Sequence, residues 1–370
     1  MKLDLLSLTH LELKEQIKGK GIAGYIADQL YHWLYRAYQI DPEKWTNISK
    51  ANRDLLFESF SLHLPQVIWQ GLSKDGTRKF LLKMQDGQTV EAVALPGRNR
   101  LSICLSSQVG CAVGCRFCHT GTQGLKRHLS TAEVVGQYVA VTHWLQTQVN
   151  SELKFSNIVY MGQGEPLHNF ENVKKATEIF VEPKGIGLGQ RRITLSTSGL
   201  VPQIKRLHEF PPINFAISLH SAHNDARTAL MPINKVYNLE KLFQAIQTIP
   251  LKAHRRITYE YLLIDDFNDR PEDIIALAKL LKRSESKINI IPFNEYPGAI
   301  YKRPSDEKIA WFCHQLNDRG FTCTVRTTKG EDILAACGQL KSEYDKVNLW
   351  QEDQQLKVLS EKKKSQFSFT

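Results

Sequence analysis

The feature that most constrains this chain is an alternation that begins near Leu101. Short runs rich in β-branched residues, "LSICLSS", "FSNIVYM", "RRITLST", "INFAISL", "RITYEYLLI" and "KINIIPF", alternate with segments of helical length and amphipathic pattern. Six such units predict an α/β fold with a parallel sheet covered by helices, because parallel neighbours need a long crossover between them. Periodicity alone leaves an open doubly wound sheet and a barrel equally open. The first crossover helix carries a start signal, Ser130 with Glu133 three residues on, a capping box in which each side chain satisfies a free backbone N–H. After the sixth unit, "FTCTVRT" reads as a last strand.

The text upstream is different. From Thr9 to about Leu64 it reads as helices, with Ile26, Leu30, Trp33 and Leu34 forming one apolar stripe. The segments "TRKFLLKM" and "TVEAVALP" flank Asp86-Gly87, a dipeptide suited to the positive φ angles of a tight hairpin. The expected organisation is a helical accessory domain over 1–70, a linking β-hairpin over 71–100, the strand–helix unit over 101–340 and a polar tail over 341–370.

With 42% hydrophobic and 23% charged residues the chain has the composition of a folded domain rather than a disordered one. No signal-peptide pattern opens it, and no run approaches the roughly 20 apolar residues of a membrane span, so a cytoplasmic protein without a membrane partner is expected. The net charge of +10 suits a polyanionic partner, although a basic surface alone does not establish one. Seven cysteines without a secretion signal argue for thiol, metal or redox chemistry rather than a disulfide framework.

Three of those cysteines, Cys111, Cys115 and Cys118, form a C-x3-C-x2-C run in "VGCAVGCRFCHTG", just after the first strand of the alternation. Three thiolates would leave one iron of a [4Fe-4S] cluster open to another ligand, since such clusters usually take four. A structural zinc ion would need a fourth ligand, for which His119 is the candidate. A second motif, "MGQGEP", follows the second strand. Its glycines allow close backbone approach, and Glu165 could accept a hydrogen bond from an ammonium group.

The cysteine spacing and its position resemble the radical S-adenosylmethionine superfamily. The longer segments "LSSQVGCAVGCRFC", "MGQGEPLHNFENV", "RRITLSTSGLVP", "AISLHSAHNDARTALMPINKVYN", "INIIPFNEYPGAIYKRPS" and "AACGQL" resemble, in order, the RlmN/Cfr family of RNA-adenine methyltransferases. The resemblance runs from about Tyr25 to Leu340. It implies a partial (βα)6 barrel over 101–340 with a catalytic loop around Cys337, a [4Fe-4S] cluster on Cys111, Cys115 and Cys118, and two molecules of S-adenosyl-L-methionine per turnover. It further implies that Cys337 carries a methyl group on sulfur, that a 5′-deoxyadenosyl radical activates that group for addition to adenine, and that Cys104 resolves the adduct through a disulfide. A radical route is required because carbon 2 of adenine is electron-poor and offers no lone pair to a sulfonium methyl donor.

By the same resemblance Glu91 is the proton acceptor, and Gly164, Glu165, Ser196, Ser218, Leu219, His220 and Asn294 bind the cofactor. The implied substrates are an adenosine at the peptidyl-transferase centre of 23S rRNA and an adenosine of certain tRNAs, methylated at carbon 2 in the RlmN type. The Cfr type methylates carbon 8 of the same ribosomal nucleotide. A flavodoxin-type electron donor and a monomeric enzyme are also implied. Two departures from many relatives, Gln163 in "GQGEP" and "KSEY" after "CGQL", are read as touching no predicted ligand or thiol.

Lys126, Arg127, His128, Arg191, Arg192, Arg255, Arg256, Lys302, Arg303, Arg326 and Lys329 flank strand ends and are the candidates to ring the mouth of the site and meet RNA phosphates. Cys313 and Cys323 read as core thiols. A noncatalytic zinc-dependent RNA-binding protein and a radical enzyme acting on a small molecule are the rival readings. The first predicts a colourless protein with no need for both Cys104 and Cys337, and the net charge and the extra thiol pair speak against the second.

Overall fold

The computed structural model describes residues 2–98, 100–249, 251 and 255–341, so the predicted tail lies outside the described residues apart from Lys341. Ten strands join one sheet in strict chain order: β1 (Gln66–Leu72), β2 (Arg78–Lys83), β3 (Thr89–Gly97), β4 (Arg100–Cys104), β5 (Asn157–Tyr160), β6 (Ile193–Thr197), β7 (Asn214–Ser218), β8 (Ile257–Leu263), β9 (Ser286–Pro292) and β10 (Thr322–Val325). From β4 to β10 every pairing is parallel; from β1 to β4 every pairing is antiparallel. The six parallel strands read from the alternation are β4 to β9, and the "FTCTVRT" strand adds β10 to the same sheet.

The helices are α1 (His10–Lys18), α2 (Ile26–Tyr35), α3 (Lys50–Ser59), α4 (Thr131–Gln148), α5 (Phe170–Val181), α6 (Val201–Ile204), α7 (Asn224–Leu230), α8 (Leu239–Ile246), α9 (Pro271–Leu280) and α10 (Asp306–Asp318). The Ser130–Glu133 capping box opens α4, and a second, Thr9–Glu12, opens α1. In α2 the stripe Ile26, Leu30 and Leu34 is fully buried and Trp33 packs half-buried beside it.

The helical unit shares one continuous core with the barrel. Tyr38 meets Tyr138 of α4 at 3.4 Å between hydroxyls, and its carbonyl lies 2.8 Å from His143 Nδ1. No described helix is long and apolar enough to cross a membrane.

The hairpin does more than link. Its turn closes at Asp86-Gly87, with Gly87 at φ +82°, but β3 then pairs with β4 from Gly97↔Arg100 to Val93↔Cys104, welding it to the parallel strands. A further strand, β1, begins inside the segment assigned to the helical domain. Val67, Ile68 and Trp69 supply the β-branched and aromatic side chains that suit an exposed edge of the sheet better than a helix. Strands β1 and β10, the two ends of the sheet, do not pair. Residues 326–340 cross toward the antiparallel end instead, packing Ala335 and Leu340 on Val93 and Cys104. Ser73 Oγ donates to Asp332 (2.5 Å) and the Gly330 N–H to Asp75 (3.1 Å), pinning that segment to the β1–β2 turn.

Candidate active site

Parallel strands place their following loops on one rim of the barrel, and the site is built there. After β4 the chain enters the cysteine loop, bracketed by a small antiparallel pair, Gln108–Gly110 with Leu125–His128. Gly110 is required at its neck: its φ is +74°, and a Cβ there would sit 1.8 Å from the Gly124 carbonyl oxygen. Cys111, Cys115 and Cys118 line one cavity of about 170 Å³. Burial pushes the Cys111 thiol up to about 12 and raises Cys115 and Cys118 as well, and in Cys115 the adjacent Cys118 and Cys111 thiols add to the shift.

Thiols placed this way stay protonated unless a metal centre compensates the charge of the thiolates, which is the condition an iron–sulfur cluster meets. His119, the candidate fourth zinc ligand, does not line this cavity; its ring stacks on Tyr296 at 4.7 Å with Nδ1 3.4 Å from the Gln339 carbonyl. Among the described residues no three His, Cys, Asp or Glu side chains converge on a single ion, whereas a cluster takes each thiolate on a different iron.

The same cavity is lined by Gly164, Glu165, Ser196, Ser218 and His220, so five of the predicted cofactor residues meet the three cysteines. Gly164 has φ +97°, and a Cβ there would lie 2.5 Å from Gln108 Cβ. The Glu165 carboxylate accepts the Leu167 N–H (3.0 Å) and the Ser198 N–H (2.7 Å), which orient it against the cavity wall while burial raises its pKa. His220, at φ +60°, accepts the Leu262 N–H on Nδ1 at 3.0 Å. Burial, with the Arg227 charge, lowers its pKa to about 3, so the ring is neutral with its proton on Nε2.

Leu219, also predicted to bind the cofactor, does not line the cavity. Its side chain is fully buried in the core, its N–H donates to Glu260 and its carbonyl accepts from Arg227. Asn294 stands elsewhere: it donates to the Cys337 carbonyl (3.1 Å), accepts from Thr328 Oγ1 (3.0 Å) and lines a second, smaller cavity.

That second cavity, about 50 Å³, holds Cys104, Met161, Arg326 and Cys337. Cys337 and Arg326 line both cavities, so the Cys337 thiol stands at the junction between the cluster side and the Cys104 side. The two loops are tied together there. The His119 N–H donates to the Gly338 carbonyl at 2.7 Å and Thr120 Oγ1 to the Leu340 carbonyl at 2.6 Å. All seven cysteines are free thiols. Burial, then the neighbouring Cys337, raises Cys104 to about 12, and the Arg326 guanidinium opposes that rise.

Glu91 lies on β3 two residues before Val93, which pairs directly with Cys104, so Glu91 and Cys104 share one face of the sheet. Its carboxylate is buried 3.1 Å from the Lys79 ammonium. Its N–H donates to Gln163 Oε1 at 2.8 Å, so Gln163 touches the predicted proton acceptor.

The basic residues divide in a way their sequence positions concealed. Arg326 belongs to the wall between the two cavities, its Nη1 3.4 Å from Met161 Sδ. Arg191, Arg192, Arg255 and Arg256 precede β6 and β8 and so stand at the opposite rim, where Arg255 holds the Pro212 and Ile213 carbonyls. Arg127 is paired with Asp86 and Glu133. Lys302, Arg303 and Lys329 follow β9 and β10, on the rim of the site.

Sequence reasoning passed over Lys79 and Arg227. Arg227 is fully buried and donates to the Leu219, Ser198 and Ser218 carbonyls and to Asn234, knitting together the ends of β6 and β7. A lone arginine in an amphipathic helix gives no warning of such burial.

Comparison with known proteins agrees with this geometry. Residues 105–280 match the radical SAM superfamily, and residues 3–62 match the ribosomal RNA large subunit methyltransferase N-terminal domain. A dual-specificity RNA methyltransferase RlmN of Roseobacter denitrificans is 43% identical over 350 residues, covering 92% of this chain and 89% of that protein. That of Syntrophobacter fumaroxidans is 42% identical over 333 residues, covering 90% and 96%. The crystal structure of a radical SAM methyltransferase from Sphaerobacter thermophilus superposes with a TM-score of 0.86 at 39% identity, over 92% of this chain and all of that one.

Proposed function

The chain belongs to the RlmN family of radical SAM methyltransferases, and on that premise we propose that it methylates carbon 2 of an adenosine in 23S rRNA and of an adenosine in certain tRNAs. The observation that carries this reading is the pair of adjoining cavities with Cys337 lining both. A thiol there faces a cofactor on one side and a second thiol on the other. The named activity of the relatives, on RNA, supports the substrate class.

Cys111, Cys115 and Cys118 would hold the [4Fe-4S] cluster, and Gly164, Glu165, Ser196, Ser218 and His220 line the place for S-adenosylmethionine. When bound, these groups supply a methyl group and a 5′-deoxyadenosyl radical; a flavodoxin-class protein is the proposed electron source. The chain's own residues do the rest. Glu165 presents a fixed carboxylate toward an amino group, and neutral His220 presents an Nε2–H donor. Cys337 Sγ carries the methyl carbon to the base. Glu91 takes the proton from the base's own C–H. Once the radical adduct has given up its unpaired electron, the Cys104 thiol loses its proton and its Sγ bonds to Cys337 Sγ as the carbon–sulfur bond breaks; the electron pair of that bond goes to the carbon, which takes up a proton and stays on the base as its methyl group. Asn294 and Thr328 act as positioning residues, holding the Cys337 backbone at the junction.

The test is anaerobic incubation of the reconstituted enzyme with S-adenosylmethionine, reductant and 23S rRNA or tRNA, followed by nucleoside mass spectrometry. The expected product is 2-methyladenosine, abolished in Cys337→Ala. Formation of 8-methyladenosine would move the chain to the Cfr-type reaction, and no methyladenosine from an enzyme with an intact cluster would refute RNA methylation.

A further inference from the structure

The reaction ascribed to this site needs an ionised carboxylate at Glu91, and a charge taken out of water is costly unless a partner meets it. Glu91 is 4% exposed and Lys79 8%. Lys79 lies opposite Val93 on the neighbouring strand, and Val93 lies opposite Cys104, so Lys79, Val93 and Cys104 form one row across β2, β3 and β4. From that row the Lys79 ammonium reaches Glu91 Oε1 at 3.1 Å and the Leu334 carbonyl oxygen at 3.2 Å, while the face of Trp69 lies 5.7 Å away.

Leu334 is three residues before Cys337 and holds a left-handed backbone, φ +52°, that a leucine rarely adopts. A buried ion pair is often no more stable than an apolar pair of the same volume, so the fold alone gives no reason for one here. Its two contacts do give one: a single cation touches both the carboxylate and the loop that bears the carrier thiol.

We infer that Lys79 is a positioning residue for the methylation reaction, its ammonium joining the carboxylate of Glu91 to the backbone of the loop that carries Cys337. This rests on the reading of Glu91 as the proton acceptor. Before proton transfer the cation keeps the carboxylate anionic. When the base C–H bond breaks, its electron pair stays with the ring and the proton goes to Glu91, leaving Lys79 anchored on the Leu334 carbonyl. The loop therefore keeps its register while Cys104 closes on Cys337.

Two stages can be read separately in the reconstituted full-length enzyme: S-methylation of Cys337, by peptide mass spectrometry, and release of methyladenosine from RNA, by nucleoside mass spectrometry. Lys79→Met is expected to keep its cluster and to methylate Cys337. It should release methyladenosine at least about tenfold more slowly, a part of the roughly 10²–10⁴-fold that a general base contributes, with RNA remaining covalently bound to the protein. Lys79→Arg should regain most of the rate.

In a Glu91→Gln background Lys79→Met should add less than about a twofold loss, because the cation acts through the missing carboxylate. Lys79→Gln, which retains a donor for Leu334 without the charge, should match the methionine variant and serves if that variant does not fold. Release at the parent's rate in Lys79→Gln, or the same fold-loss with and without Glu91→Gln, would overturn the inference while leaving the methylation reading intact. A parent enzyme yielding no methyladenosine would overturn both.

Discussion

The parallel and antiparallel halves of the sheet contribute to the site by different rules. In the parallel half, β4 to β10, functional groups sit at or beyond strand ends: the three cysteines after β4, Gly164 and Glu165 after β5, Ser196 in β6, Ser218 and His220 at and after β7. In the antiparallel half, β1 to β3, they sit in mid-strand, with Glu91 and Lys79 aligned by cross-strand register rather than by a loop. The first half builds a binding cavity from loops that can take any local shape. The second holds a carboxylate rigidly, because a mid-strand side chain is fixed by two neighbouring strands. Cys337, on the segment after β10, is where the two halves meet.

The sharpest way to break this division is to delete a thiol from each side. Cys115→Ala, in the cluster cavity, should lose visible absorbance and bound iron and form no methyladenosine at all. Cys104→Ala, in the second cavity, should keep the cluster, methylate Cys337 and stall with RNA linked to the protein, as gel mobility and mass would show. If both variants stopped before Cys337 methylation, the two cavities would not be functionally distinct.

A smaller effect is expected at Arg326, the cation both cavities share. Without it the rise in the Cys104 pKa caused by burial and by Cys337 is opposed only by the hydrogen bond from the Met161 backbone. Arg326→Met should then slow resolution of the RNA adduct roughly tenfold at fixed pH, corresponding to about one further unit of pKa. The rate should recover as pH increases, and Arg326→Lys should fall between. A pH–rate profile superimposable on the parent's would show that the guanidinium does not serve the thiols.

The smallest effect is on stability. His220 is held neutral with a folded-state pKa near 3, against about 6.5 in an unfolded chain. The unfolded state therefore binds a proton that the folded state refuses. This contribution is fully present above about pH 6.5 and is lost as pH falls toward 3, by up to about 1.4 kcal/mol per pH unit. Denaturant melts between pH 7.5 and 5 should show a shallower decline in His220→Asn, a residue that tolerates the same positive φ. Equal slopes would place the acid sensitivity elsewhere.

Much of the parallel half was legible in the sequence because its rules are local. β-branched runs became strands, Ser130 and Glu133 became a capping box, and C-x3-C-x2-C spacing brought three thiols to one cavity without knowledge of any partner strand. The motif residues followed for the same reason, since a residue at the end of a parallel strand faces the shared rim. Leu219 and Asn294 show the limit: adjacency in a motif placed both, but only the folded chain showed one buried away from the cavity and the other serving the Cys337 loop.

What the sequence by itself determined was the fold class, the convergence of three cysteines on one cavity and the family. What only the tertiary structure decided was where charge is buried. Eleven basic residues near strand ends looked alike as text, yet Arg326 lines the cavities, Arg255 stands at the far rim and Arg127 is spent on carboxylates. Lys79 gave no sign of its place beside Glu91, twelve positions on and across a turn. The physical reason is range: hydrophobic periodicity and capping act within a few residues, whereas the partner of a buried ion is set by strand register between segments distant in sequence.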